Sequence, residues 1–321
     1  MSKKEAKRKY LTEFSLNIYS TEPAIVAPAD LDKITDADEE TKRHIKNSNI
    51  YLILKRPRIS FIPTSLIIDN REVVGSVGVQ TEEGIVEASF RIKGELPHEV
   101  KSIKASKYPH TKLTVIDKTG EDVHTMPMAY LLKNMTVELN GLDYLEVAYV
   151  GQAFGSAGER SAAERLGSHS TLQKILADIT ANQPHMEVLL ALYQFEFHRF
   201  IITMDGISKA MITGDADTEH YQKILDSTFK RSMRISLAEA ALIRYFQPEY
   251  NKVFKNEFPK KRHKILKKLY DFDFAAITVE ACVEDLGMQL YSDAKKHSWH
   301  HIANFDLHDP TERKSFFFGM P

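Results

Sequence analysis

Only one of the 321 residues is a cysteine. A lone Cys282 excludes an intramolecular disulfide framework and a Cys-rich zinc site, and it points to a reducing, cytoplasmic setting. No stretch approaches the ~18 consecutive apolar residues of a membrane span, and the charged opening Met1–Tyr10 lacks the apolar core of a signal peptide, so no membrane association is expected. There is also little excess charge. With 43 Lys+Arg against 44 Asp+Glu the formal net charge is -1, so any contact with nucleic acid has to be a local basic patch. What is present is apolar material: 43% of the residues are hydrophobic, enough for a buried core in each of about two domains.

Residues 1 to about 48 are mixed and charged, with an acidic patch from Asp30 to Glu40 leading into a short helix. From Ile50 the texture becomes β-like. Ile50–Leu54, Ile59–Ile62, Ser65–Ile68 and Ile85–Ile92 are β-branched or alternating runs separated by Pro57, Pro63, Asp69-Asn70, Gly84 and Gly94, the pattern of a small antiparallel sheet. Residues 1–130 therefore read as a β-rich N-terminal domain. Within it, Lys55-Arg56-Pro57-Arg58 and the lysines from Lys101 to Lys107 read more readily as a solvated sheet surface than as phosphate contacts.

Met135–Leu139 and Leu145–Val150 predict a hairpin through Asn140-Gly141, a strong turn dipeptide. A helix is predicted over about 160–179, its apolar face built from Ala163, Leu166, Leu172, Ile175, Leu176 and Ile179, with Arg165 and His169 four residues apart on a common face. Met186–Phe197 reads as a further, central strand. Helices are expected over about 218–229 and 236–246, the second stopped by Pro248.

The ordered set Tyr149-Val150-Gly151, Arg165 with His169, Glu239 and Asn251 resembles the GIY-YIG nuclease superfamily, and the Arg-x3-His spacing is similar to its restriction-endonuclease branch. The resemblance covers roughly 130–255. It implies an α+β chain with a GIY-YIG-like α/β sandwich catalytic domain at 131–255, between the β-rich domain at 1–130 and a helical and irregular C-terminal extension at 256–321. The implied activity is hydrolysis of nucleic-acid phosphodiesters, DNA more than RNA, by in-line attack of water with Mg²⁺ or Mn²⁺ as cofactor. Such chemistry needs a water nucleophile, a cation beside the phosphate and a divalent metal on its oxygens. The resemblance assigns Tyr149 to the water, Arg165 to the phosphate, Glu239 to the metal, Asn251 to positioning, and His169 to a base or phosphate contact. One element departs from the family: its first tyrosine, in the strand before Tyr-Val-Gly, has no counterpart in Met135–Leu139, and Tyr130 and Tyr144 are the nearest substitutes.

Two further features lie downstream. Lys255, Lys260, Lys261, Arg262 and Lys264, interleaved with Phe254 and Phe258, form a basic stretch suited either to a nucleic-acid track or to a solvated amphipathic helix. His297, His300, His301, Asp306, His308 and Asp309 crowd the tail without a recognisable metal-ligand spacing. The alternative from another class is a nucleic-acid-binding or interaction module that has lost cleavage. An oligomer is compatible with either.

Overall fold

The computed structural model describes residues 7–318 apart from 22, 37, 98, 154–165, 167–169, 196, 205 and 207–208. Strands β1 (Glu13–Tyr19) and β2 (Ala24–Val26) precede helix α1 (Glu39–Asn47), which starts where the Asp38 carboxylate accepts the Thr41 N–H. β3 (Ile50–Pro57) then leads into β4 (Ile59–Phe61), β5 (Ile67–Asp69), β6 (Glu72–Thr81), β7 (Gly84–Ile92), β8 (Val100–Ala105), β9 (Lys112–Asp117), β10 (Asp122–Pro127), the single turn α2 (Met128–Leu131) and β11 (Met135–Val137). Next come β12 (Leu145–Gln152), α3 (Ser170–Asn182), β13 (Met186–Tyr193), β14 (Phe197–Thr203), α4 (Asp215–Leu225), α5 (Arg231–Phe246) and α6 (Lys267–Asp271). The chain closes with β15 (Ala276–Cys282), β16 (Leu290–Ser292), β17 (Lys295–Ser298) and β18 (His300–Asp306). The fold is α+β. Among the described residues no helix is long and apolar enough to cross a membrane.

Strands pair in four sheets. Two of them, β4-β6-β7-β11 with β5 on β6 and β8-β9-β10, are built from residues 59–137 and enclose their own core around Phe61, Val77, Phe90 and Met128. The other two draw on both ends of the chain. β1 lies parallel to β15 and antiparallel to β14, with β18 beyond β15. A six-stranded sheet runs β17-β16-β12-β3-β13-β2. Strands β1 and β3, from the first 60 residues, thus complete sheets whose other members lie beyond residue 131.

Both faces of the six-stranded sheet are covered, which explains its near-continuous apolar runs. On β3, Ile50, Leu52 and Leu54 face one core while Tyr51 and Ile53 face the other. The first core is closed by α5, whose Ile235, Leu237, Ala238, Ala240, Ala241, Leu242, Ile243 and Phe246 are all buried because the helix is wedged between the six- and four-stranded sheets. Its small alanines let the sheets approach. The second core is closed by Leu172, Ile175 and Ile179 of α3 and by Ile45 of α1.

Three sequence expectations are corrected. Asn140-Gly141 does make a tight turn, with φ of 51° and 85°, but β11 pairs with β7 and β12 pairs with β3, so the turn joins two sheets and closes no hairpin. The 186–197 run is not one strand: β13 ends at Tyr193 and β14 enters the four-stranded sheet. Lys55 and Arg56 are not solvated. Each lies opposite a carboxylate, Lys55 3.2 Å from Glu146 and Arg56 2.8 Å from Glu187, and these partners permit their burial.

Candidate active site

The site forms at the C-terminal end of β12, where the strand carries an extra residue. Val147 pairs with Leu54 but Tyr149 pairs with Ile53, so Ala148 is a β-bulge. Without it, strict alternation would turn Tyr149 to the same face as Val147. The bulge re-aims it to the opposite face, beside Tyr51 of β3. The two tyrosine rings lie with centroids 6.1 Å apart over Gly151, the residue opposite Tyr51. A Cβ at position 151 would stand 2.5 Å from Cζ and Oη of Tyr51 and 2.8 Å from Cε1 of Tyr149, which gives the glycine of Tyr-Val-Gly its reason.

The outer edge of β12 is equally specific. Beyond Glu146 no strand pairs there, and its polar groups are met by the chain following α5. Gln247 ends that helix in a left-handed conformation at φ 49°, and Pro248 prevents its continuation. The turn that follows brings Tyr250 N–H to Ala148 O at 3.1 Å, while the Asn251 carboxamide accepts Val150 N–H at 2.9 Å and donates to Val150 O at 2.8 Å. A single buried side chain thereby stands in for a neighbouring strand. One residue pair further along, Glu239 of α5 accepts Gln152 N–H at 3.1 Å. Lys55 holds the same turn through Glu249 at 3.7 Å.

These contacts line a cleft of 710 Å³ bounded by Tyr149, by Thr171, Lys174 and Asp178 of α3, by Glu239 of α5, and by the segment from Glu249 to Phe254. Burial, the Glu249 charge and a hydrogen bond to Asp178 push the Tyr250 hydroxyl up to about 12, so it stays protonated at neutral pH. The cleft therefore offers two kinds of group to a polyanion: a carboxylate with tyrosine hydroxyls at its inner end, and the ammonium groups of Lys174 and Lys252.

Of the expected site residues, Tyr149, Glu239 and Asn251 come together here. Arg165 and His169 lie outside the described residues. Tyr51 was not among the candidates, yet it is the tyrosine of the strand that actually neighbours β12. Tyr130 and Tyr144, the substitutes considered, line no part of the cleft: Tyr130 donates to Ile25 O and Tyr144 stacks on His297. The basic stretch stands apart from the cleft. Lys260 and Arg262 pair with Glu257, Lys255 O accepts from Arg244, Lys261 lines a different hollow beside Tyr10 and His220, and Lys264 opens a 3-10 turn. It is neither one helix nor a continuous track. The tail histidines also disperse: His300 meets Glu280, His301 the carbonyl of Leu290, and His308 that of Phe274.

Among the described residues no three His, Cys, Asp or Glu side chains converge as a metal cage. Glu239 as a single cleft carboxylate still fits Mg²⁺ or Mn²⁺, because such ions keep several waters and take further oxygens from a bound phosphate. Set against known proteins, the chain matches no family model, no curated protein and no solved structure.

Proposed function

We propose that the chain is a divalent-metal-dependent endonuclease of the GIY-YIG type, hydrolysing nucleic-acid phosphodiesters, DNA in preference to RNA, in the cytoplasm. The observation that carries this is the convergence of Tyr149, Glu239 and Asn251, residues separated by up to 102 positions, on one end of β12. In support, the strand antiparallel to β12 supplies Tyr51 where the family has its first tyrosine. The catalytic sandwich in this reading is the β12-β3-β13 core of the six-stranded sheet with α3 and α5 on its two faces, and residues 58–144 are an insertion between the two tyrosine strands.

Each residue then has a physical task. Tyr149 orients and helps deprotonate the attacking water, with Tyr51 beside it to share the proton. Arg165 clamps the phosphate, His169 serves as base or second phosphate contact, and Lys174 and Lys252 hold the neighbouring backbone charge. Glu239 holds the metal, which when bound neutralises developing charge on the phosphate oxygens. Asn251 fixes the strand end so that these groups keep their spacing. Cleavage leaves 5′-phosphate and 3′-hydroxyl ends.

The test is cleavage of plasmid, linear duplex, single-stranded and RNA substrates with Mg²⁺ and with EDTA, comparing wild type with Glu239→Gln and Tyr149→Phe. Glutamine keeps an acceptor for Gln152 N–H but loses the charge. Both variants are expected to retain their Tm and to lose activity on the order of 10²-fold or more. Binding without metal-dependent cutting, weakening steeply with salt, would replace the nuclease by the non-cleaving binder.

A further inference from the structure

At the end of β3 remote from Tyr51 lies a second cavity, of 390 Å³, enclosed by the sheet, by the chain around β2 and α1, and by the segment from Thr111 to Tyr130. Arg56 lines it at 1% exposure. Its Nε donates to Glu187, its cross-strand partner on β13, at 2.8 Å, but its Nη1 is buried without any acceptor. Buried guanidinium N–H groups are nearly always satisfied, so an orphan on a cavity wall marks the place of a missing acceptor.

The rest of the lining says what kind. Ile25, Ile45, Leu189 and Met128 make apolar walls. Near the mouth, Lys33 and Lys112 share one carboxylate, Asp30, at 2.7 and 2.8 Å. Three cations, Arg56, Lys33 and Lys112, thus face two anions, Glu187 and Asp30, and the cavity is short of one negative charge. We infer that it binds a small monocarboxylate with an apolar body: the carboxylate accepts from Arg56 Nη1 and the hydrocarbon lies against Ile25, Ile45 and Leu189. A phosphate dianion overshoots the charge and leaves the apolar walls unused. A neutral hydrocarbon leaves the guanidinium unmet. The site shares no residue with the β12 cleft, so it and the nuclease proposal can fail separately.

The test is thermal unfolding of the full chain with sodium hexanoate, at ionic strength held constant with NaCl, alongside hexanol and inorganic phosphate. Hexanoate is expected to raise Tm along a single-site curve, by about 5 °C at a hundredfold excess over Kd, with hexanol and phosphate giving no comparable rise. Arg56→Met removes the donor, and Ala27→Leu fills the cavity while leaving Arg56 paired; each is expected to abolish the rise. If Arg56→Met does not fold, Ala27→Leu decides alone. No hexanoate effect in wild type would mean that Nη1 is simply hydrated, and would overturn the assignment. So would an equal rise with hexanol or phosphate, or a rise that survives in every folded variant.

Discussion

A carboxamide donates and accepts at once, and Asn251 uses both abilities on one residue, Val150. That makes the position sharply testable. Asn251→Asp keeps the acceptor and loses the donor, and Asn251→Ala leaves both backbone groups orphaned in a buried strand. The alanine variant is expected to lose about 2 kcal/mol in urea unfolding, the aspartate variant roughly half of that or more. Unchanged midpoints in both would show that the strand edge does not depend on this side chain. Gly151 is the other decisive residue. Alanine there drives a methyl into the Tyr51 ring, and overpacking of this kind costs about 1–3 kcal/mol. If the two tyrosines act together, Gly151→Ala also loses far more activity than its stability loss explains, because it moves both hydroxyls. Retained cleavage in a folded Gly151→Ala protein would separate the tyrosine pair from the chemistry.

At the scale of elements, local signals read correctly and long-range pairing did not. The runs at Ile50–Leu54, Leu145–Val150 and Met186 onward are strands, and the helix ending at Phe246 stops before Pro248, because alternation, β-branching and proline act within a few residues. Helix starts were less legible: α4 begins at Asp215 and α5 at Arg231, since neither has a side-chain N-cap to announce it. The partner of β12 lay 95 residues upstream, and nothing in Asn140-Gly141 distinguishes a hairpin from a turn between sheets. Tyr51 was overlooked for that reason alone: the first tyrosine was sought in the preceding strand of the sequence, while the preceding strand in space is β3. Tyr149, Glu239 and Asn251 were legible because they are polar residues in apolar settings, where a side chain needs a reason. The Ala148 bulge was not, since it is defined only by the register against β3. Lys174 and Lys252 carry no local mark that sets them apart from other surface lysines.

For the whole molecule, the two ends of the chain are held by one charged knot. Arg313, near the C-terminus, reaches Glu13 of β1 at 3.1 Å and Asp273, just before β15, at 2.9 Å, and Asp273 also takes hydrogen bonds from Lys9 and Tyr10. Arg313 and Glu13 are almost wholly buried, so neither side chain falls back on water if its partner is removed. Arg313→Met therefore costs about 3–5 kcal/mol, the usual penalty for stranding a buried charge. Asp273 sets the pH dependence. Burial pushes its carboxyl up, but the hydrogen bond and charge of Lys9 and the Arg313 guanidinium together hold it below the ordinary carboxylate value. A carboxyl whose pKa is lower folded than unfolded stabilises fully above its unfolded value, near 3.9, and that contribution disappears as the pH falls through the lower folded value. Wild type should accordingly lose stability below about pH 4, and Asp273→Asn should be less stable at pH 7 yet show a shallower decline in that acid range. Urea midpoints for both proteins between pH 7 and pH 2.5 check this. Parallel curves would mean that the knot closes the chain without contributing to its acid sensitivity, and that carboxylates elsewhere set it.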